Sequence, residues 1–466
     1  MCLLSRVAVG TIQPEADRRC VLGALYGILG RLELEVQPFL SRACFAACAA
    51  GARQAPRHLD SWLMTREVAV ELFLHSARAA DLALVEGEFR PRSELDVLYG
   101  LGDEDSLTLH EHGGACLETL CAWLDLPVLA IVDVSKISGC KMPVRPHRIS
   151  GLLLDRVASA REASRWRTLF ESLWDVPVLG AMEDTSARRA FDSLSAATPS
   201  EAVLRLLTDQ LLEDFDMPGF LRVAEPRPLL GVGAHEAGLY VGGCPHEELA
   251  SCGGQAPLKV AVAYDEAFHC YFPDTLDLLE ARGATICDFS PLRDESLPAD
   301  VDVVYLGCGC PEQYADPLAE NPCMKQALRT YVEAGGRVYA EGGGLAYLCQ
   351  QIVLPTGRRL PMVGALPAIA KRSPHPQPPQ PAEVTARDNN WLAKRGDRLR
   401  GYLNSNWRIH PVGPLQSLAK EEAFATSLVG CRQVIGSRLH LNFAAQPAFL
   451  RRFFQPAPLI NQASGR

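Results

Sequence analysis

Short apolar runs, each bounded by turn residues and followed by a longer stretch with helical periodicity, recur along this chain in two series. The first series runs through Val7-Ala8-Val9, Asp81 to Val85, Pro127 to Val134, Ile149 to Leu154 and Val176 to Leu179. The second runs through Leu258 to Val262, Thr285 to Phe289, Val301 to Leu306 and Arg337 to Ala340, with helical stretches at Asp274 to Arg282 and Cys323 to Ala334. A strand that is apolar throughout, rather than at alternate positions, is covered on both faces, and parallel strands need helical crossovers. The pattern predicts two α/β domains, each with its own parallel sheet. Between them lies a Gly-rich segment holding Gly242-Gly243 and Gly253-Gly254, so the boundaries are set at 1–226 for the first domain, 227–256 for a linker, 257–455 for the second domain and 456–466 for a tail. The run Pro374 to Pro381 is expected to be a surface loop, because proline fixes φ and removes a donor.

Composition narrows the function classes. The chain has 466 residues, 48% of them hydrophobic and 22% charged, which suits a soluble globular protein able to bury more than one core. A net charge of -9 leaves no basic excess to neutralise phosphates, so nucleic acid is not an expected partner. The opening MCLLSRVAVG lacks a positive n-region and runs straight into strand-like sequence, and nowhere do about 18 apolar residues follow one another. The expected location is the cytoplasm, without a membrane partner. Sixteen cysteines are scattered, and the close pairs Cys44/Cys48, Cys116/Cys121 and Cys308/Cys310 lack the spacing of a zinc site, so most are expected to be small buried hydrophobes.

The second domain carries the more specific motifs. Asp265-Glu266-Ala267-Phe268, the Tyr-Phe-Pro-Asp that follows, Ser290-Pro291-Leu292, Leu306-Gly307, Pro311-Glu312 and Ala340-Glu341 occur in order at domain-scale spacing. Together they resemble the glutamine amidotransferase half of the cobyrinate a,c-diamide synthase family. The first half agrees through His58-Leu59-Asp60-Ser61-Trp62-Leu63-Met64, Val85-Glu86-Gly87, Val132-Asp133-Val134-Ser135, Gly151 to Val157 and Val176 to Gly180. The resemblance implies a P-loop-type doubly wound domain followed by a class I glutamine amidotransferase-like, flavodoxin-like α/β domain. It also implies an activity in which ATP and Mg²⁺ phosphorylate a carboxylate of a corrinoid or related tetrapyrrole acid, and ammonia from the second domain displaces the phosphate.

The residues that should do this chemistry depart from the family pattern. A P-loop needs glycines that aim N–H groups at phosphate, a Lys for the β/γ-phosphates and a Ser/Thr on Mg²⁺. The segment after the first strand reads Gly10 to Cys20, GTIQPEADRRC. Only Gly10 and Thr11 remain as a nucleotide-binding remnant, while Pro14 removes a donor and Glu15 and Asp17 repel phosphate. The family's acidic stretch is replaced by Phe39 to Phe45, leaving Glu86 and Asp133 as remnant Mg²⁺ positions. In the second domain the resemblance places the nucleophilic cysteine directly after Glu341, where this chain has Gly342. It places His440 in the first of two histidine positions of the catalytic base, with Asn442 in the second. A histidine-rich motif is replaced by Arg400 to Trp407, RGYLNSNW.

Three readings follow: a degenerate family member that keeps the scaffold without cofactor, a divergent ligase using ATP and free ammonia, and a regulatory subunit. The partners this implies are a tetrapyrrole or corrinoid acid, a second copy in a homodimer, or an intact homologue in a heteromer.

Overall fold

In the computed structural model the described residues are 3–13, 16–41, 52–89, 116–138, 142–146, 148–193, 199–229, 239–240 and 257–455. The chain divides into two compact units, Met1–Ala237 and Gly238–Arg466.

The first unit is built on strands β1 (Leu3–Thr11), β2 (Val36–Leu40), β3 (Arg57–His58), β4 (Leu82–Glu88), β5 (Val128–Asp133), β6 (Ile149–Val157), β7 (Val178–Glu183) and β8 (Arg227–Pro228). The order β3-β2-β4-β1-β5-β6-β7 is parallel throughout. Val7, Leu84, Ile131 and Leu153 are fully buried, as the continuous apolar runs require. The helices Arg19–Arg31 and Glu201–Leu212 pack their Leu25, Leu29, Leu207 and Leu211 into one core with these strands. Neighbours of β1 leave it in opposite directions, so the carboxyl end of β1 is a topological switch point, the usual place for a ligand in an open α/β sheet.

Two expectations about the chain's breaks are corrected. Arg227–Pro228, assigned to the linker, pairs antiparallel with Leu3 and Leu4 of β1. The reason is Arg6, a fully buried cation in the middle of an apolar strand. Its guanidinium donates to the carbonyls of Leu124 (3.0 Å), Arg227 (2.5 Å) and Pro228 (3.2 Å), so a helix end and the returning strand are tied to β1 by one side chain. Burial lowers the Arg6 pKa, opposed by Asp125 at 3.5 Å. Gly242-Gly243, Gly253-Gly254 and the tail 456–466 lie outside the described residues.

The second unit has a sheet of order β11-β9-β12-β14-β23-β22-β21, formed by β9 (Lys259–Ala263), β11 (Thr285–Phe289), β12 (Val303–Leu306), β14 (Arg337–Glu341), β21 (Gln416–Ser417), β22 (Leu428–Cys431) and β23 (Val434–Ser437). Its first five strands are parallel and its last two antiparallel. Smaller sheets surround it: β10 (Phe268–Cys270) with β13 (Cys308–Gly309), a four-stranded one of β15 (Cys349–Val353), β16 (Arg359–Pro361), β17 (Leu366–Arg372) and β20 (Trp407–Pro411), and a three-stranded one of β18 (Gln380–Thr385), β19 (Arg398–Leu403) and β24 (Leu439–His440). The end of the proline-rich run is therefore strand and not loop, since Gln380 and Pro381 pair with Leu403 and Tyr402. Proline is tolerated because β18 is an edge strand, where a missing N–H donor is not missed.

The two units thus realise the predicted α/β class, a P-loop-type sheet followed by an amidotransferase-like one. Replacing Arg6 by Met should lower the thermal midpoint of the full-length protein, by about 2–4 kcal/mol of stability, because buried carbonyls lose their donor. A melt followed by circular dichroism checks it, and an unchanged midpoint would remove Arg6 from this role.

Candidate functional site

The motif residues of the second unit first hold a turn. Asp265 follows β9, and its buried carboxylate accepts from the Ala267 N–H (2.9 Å), the Phe268 N–H (3.1 Å), the Ser290 hydroxyl (2.9 Å) and the Leu292 N–H (2.9 Å). Asp265, Ala267-Phe268 and Ser290 to Leu292 therefore recur together because one carboxylate binds them.

The centre of the unit is the turn after β14. Gly342 has φ +48° and ψ -104° before the short helix Gly343–Leu348, a backbone conformation that a side chain makes costly. This is the sharp strand-to-helix turn of a nucleophile elbow. The helix lies close to β12, since a Cβ on Gly344 would fall 2.4 Å from the Leu306 carbonyl oxygen. The turn keeps its shape with glycine at its apex.

Beside the apex, Glu341 and His440 form a buried pair with Nδ1 to Oε2 at 2.5 Å. The other carboxylate oxygen accepts from the Tyr339 hydroxyl (2.6 Å) and the Leu441 N–H (3.1 Å). The imidazole stacks on Phe272, with centroids 4.1 Å apart and planes 19° off parallel. A histidine oriented by a carboxylate at an elbow is the general-base half of a nucleophile–base–acid arrangement. The space for the nucleophile is filled differently: a Cβ on Gly342 would meet the Cys308 Sγ at 2.8 Å and the Asn404 Nδ2 at 3.3 Å. Burial drives the Cys308 thiol well above its ordinary pKa, with the Glu341 charge adding to it, so this is not an activated thiolate.

Asn442 is a cap. Its side chain accepts from the Ala444 N–H at 2.9 Å and starts a short helical turn. Asn404 and Asn406 likewise shape a turn, with Asn404 accepting from the Asn406 N–H (2.9 Å) and Asn406 from the Gln377 N–H (2.7 Å). Sequence reading did not single out Cys308 or the Glu341 contact to His440. Only the position of Glu341, directly before the apex, offered a signal.

In the first unit Gly10, Thr11, Glu86 and Asp133 stand at the carboxyl edge of the sheet, and the two carboxylates are engaged within the protein. Gln13 forms two hydrogen bonds with the Asp133 backbone, Nε2 to O at 2.8 Å and N to Oε1 at 2.9 Å. The Ala16 N–H is taken by the Gln13 carbonyl at 3.0 Å. The Asp133 carboxylate accepts from the Ser135 N–H (3.0 Å) and hydroxyl (2.6 Å) and faces Arg156 at 3.5 Å. Glu86 accepts from the Tyr26 hydroxyl at 2.6 Å. Gly10 packs against Gly87, Phe89 and Leu117, and the buried Thr11 hydroxyl has no hydrogen-bond partner among the described residues. Asp17 does not stand bare: burial works against its ionisation, but Arg19, bound through Nε at 3.0 Å and Nη2 at 2.7 Å, outweighs it and lowers the pKa. Burial pushes Asp155 up to about 7 against the pull of Arg188 at 3.0 Å. Pro14, Glu15 and Arg42 to Phe45 lie outside the described residues.

Burial of the cysteines can be followed at the ten described positions. Of the described ones, Cys20, Cys121, Cys308 and Cys349 are buried, Cys323 is exposed and the remaining five are half-buried. Among the described residues no helix is long and apolar enough to cross a membrane.

Residues 259–448 match the CobB/CobQ-like glutamine amidotransferase domain. A cobyrinate a,c-diamide synthase of Syntrophotalea carbinolica is 30% identical over 420 residues, covering 85% of this chain and 85% of its own. The chain belongs to the cobyrinate a,c-diamide synthase family. A second such synthase, from Dehalococcoides mccartyi, is 28% identical over 85% of this chain and 86% of its own. A hydrogenobyrinate a,c-diamide synthase of Streptomyces coelicolor is 29% identical over 86% of both chains. Membership covers both units, so the elbow and the β1 loop are variants within a family and not a chance likeness.

Introducing a side chain at the apex should be costly in a way that depends on Cys308. Gly342→Ala is expected to lose about 1–3 kcal/mol through its φ and the contact with the thiol, and Cys308→Ala should return part of that loss. A double-mutant cycle in denaturant measures it. Strict additivity would show that the thiol does not press on the apex.

Proposed function

We propose that this member of the cobyrinate a,c-diamide synthase family is a pseudoenzyme that retains the two-unit scaffold and has lost both half-reactions. The observation that carries the reading is Gly342, a glycine at the apex of an intact elbow, with the Cys308 thiol in the volume where a side chain would begin. Glu341 and His440 keep their pairing, but a base needs an acidic partner to deprotonate, and Cys308 is buried without a cation to make it a thiolate.

The amide-activating half is judged by whether the residues fit Mg-ATP, and they do not. Within Gly10 to Cys20 there is no Lys, and the described loop spends its donors on Gln13 and Asp133. The orphan Thr11 hydroxyl supplies one donor where a triphosphate needs a cradle of several. We derive no phosphoryl transfer from this arrangement. The ligand class the scaffold would keep is the corrinoid acid that its relatives' names contain, and a homodimer or a complex with an intact homologue remains the proposed setting.

Ammonia release from glutamine and amidation of a corrinoid acid with ATP, assayed side by side for wild type and Gly342→Cys, test the reading. Wild type should give neither. The variant should give at most slow glutamine hydrolysis and no glutamine-dependent amide, because the nucleophile and the activated carboxylate belong to separate half-reactions. Glutamine-dependent amidation by wild type would refute the pseudoenzyme. Calorimetry with Mg-ATP should show no binding in the low micromolar range, and binding weakened by changes at residues 10–13 would instead support a divergent ligase.

A further inference from the structure

Three ligand-bearing side chains converge beside the elbow from different segments: Cys308 on β13, Glu341 at the end of β14 and His440 on β24. Each offers one ligand atom, the three atoms lie within 4.8 Å of one another, and all three residues are buried. The sequence separates them by 33 and 99 positions, so no spacing rule finds them.

We propose that Cys308, Glu341 and His440 bind one divalent transition-metal ion of the zinc class. The donor set is one sulfur, one nitrogen and one oxygen, which suits a borderline ion such as Zn²⁺ or Co²⁺ and not the all-oxygen preference of Mg²⁺. A thiolate and a carboxylate together carry two negative charges, so with a neutral imidazole they balance a divalent cation, as a buried site demands. Ligand atoms of one tetrahedral ion stand roughly 3.3–3.8 Å apart, given metal–ligand bonds of about 2.0–2.3 Å. The three atoms now lie within 4.8 Å of one another, so the widest separation closes by about 1 Å on binding. The His440–Glu341 contact of 2.5 Å then opens by about 1 Å, and the thiol proton leaves as the metal–sulfur bond forms.

The surroundings favour such a site. Glu341 is held at its other oxygen by Tyr339 and Leu441, so one carboxylate oxygen is already oriented toward the cluster by hydrogen bonds. Stacking on Phe272 fixes the plane of His440. Glycine at 342 leaves the thiol its place, because any side chain there begins 2.8 Å from the sulfur. Three protein ligands leave a fourth position for water or a small anion. The inference does not depend on the loss of amide synthesis: the amidation assay can fail or succeed without changing what these three atoms hold.

The test uses full-length protein stripped with a chelator and titrated with Co²⁺. The expected result is one equivalent bound per chain, with a near-ultraviolet sulfur-to-cobalt charge-transfer band and the strong visible bands of a tetrahedral site. Cys308→Ser should abolish the charge-transfer band and weaken binding by about tenfold or more, while Cys323→Ser, at an exposed thiol elsewhere, should change neither. Absence of a stoichiometric band in wild type, or a band that survives Cys308→Ser, overturns the proposal. Should Cys308→Ser fail to fold, X-ray absorption of zinc-loaded wild type decides. One sulfur at about 2.3 Å among nitrogen and oxygen neighbours supports the site, and a shell of only nitrogen and oxygen contradicts it.

Discussion

The buried contact between Glu341 and His440 is the constraint around which the second unit is arranged. A carboxylate with no exposed surface must have its lone pairs occupied, and Glu341 draws its partners from β14 itself, from β24 and from the backbone just beyond it. The pair locks the elbow side of β14 against the chain's last strands. This requirement holds whichever residue stands at the apex, so the turn persists with Gly342 there. Glycine makes the persistence easier, since the φ of +48° costs it little.

The first unit settles its equivalent problem by internal bonding. A loop at the carboxyl edge of a parallel sheet meets several strand-end carboxylates, and in a nucleotide-binding protein Lys and Mg²⁺ offset their charge. Here arginines take that part: Arg156 faces Asp133, Arg188 faces Asp155 and Arg19 grips Asp17. These pairs form a network within the protein, and Gln13 ties the loop to β5. In both units the polar groups at these positions satisfy one another.

Much of the architecture was legible because its strands are apolar throughout. Val303–Leu306, buried at every position, fell within the run read at Val301 to Leu306, and the run at Arg337 led directly to the elbow. The smaller sheets were not legible. In Leu366–Arg372 the buried positions are Leu366, Ala368 and Ala370, an alternation too weakly apolar to separate from a loop. At Gln380–Thr385 prolines masked an edge strand. The apex at Gly342 and the base at His440 could be placed from motifs, whereas the approach of Cys308 could not. It arises because β12 pairs in parallel with β14, with Leu306 opposite Ala340, so that Cys308, two residues on, falls beside Gly342, a tertiary consequence with no local pattern.

The central claim is that the elbow has no nucleophile, neither at its apex nor by substitution from Cys308. Treatment of the native protein with a glutamine-mimicking electrophile, one that alkylates an elbow thiolate only after binding as glutamine does, examines it directly by intact mass. The account predicts no adduct, because Gly342 offers no atom and Cys308 is buried, with burial and the Glu341 charge raising its thiol well above the ordinary pKa. A single stoichiometric adduct mapped to Cys308 would contradict it and show that the nucleophile had moved from β14 to β13.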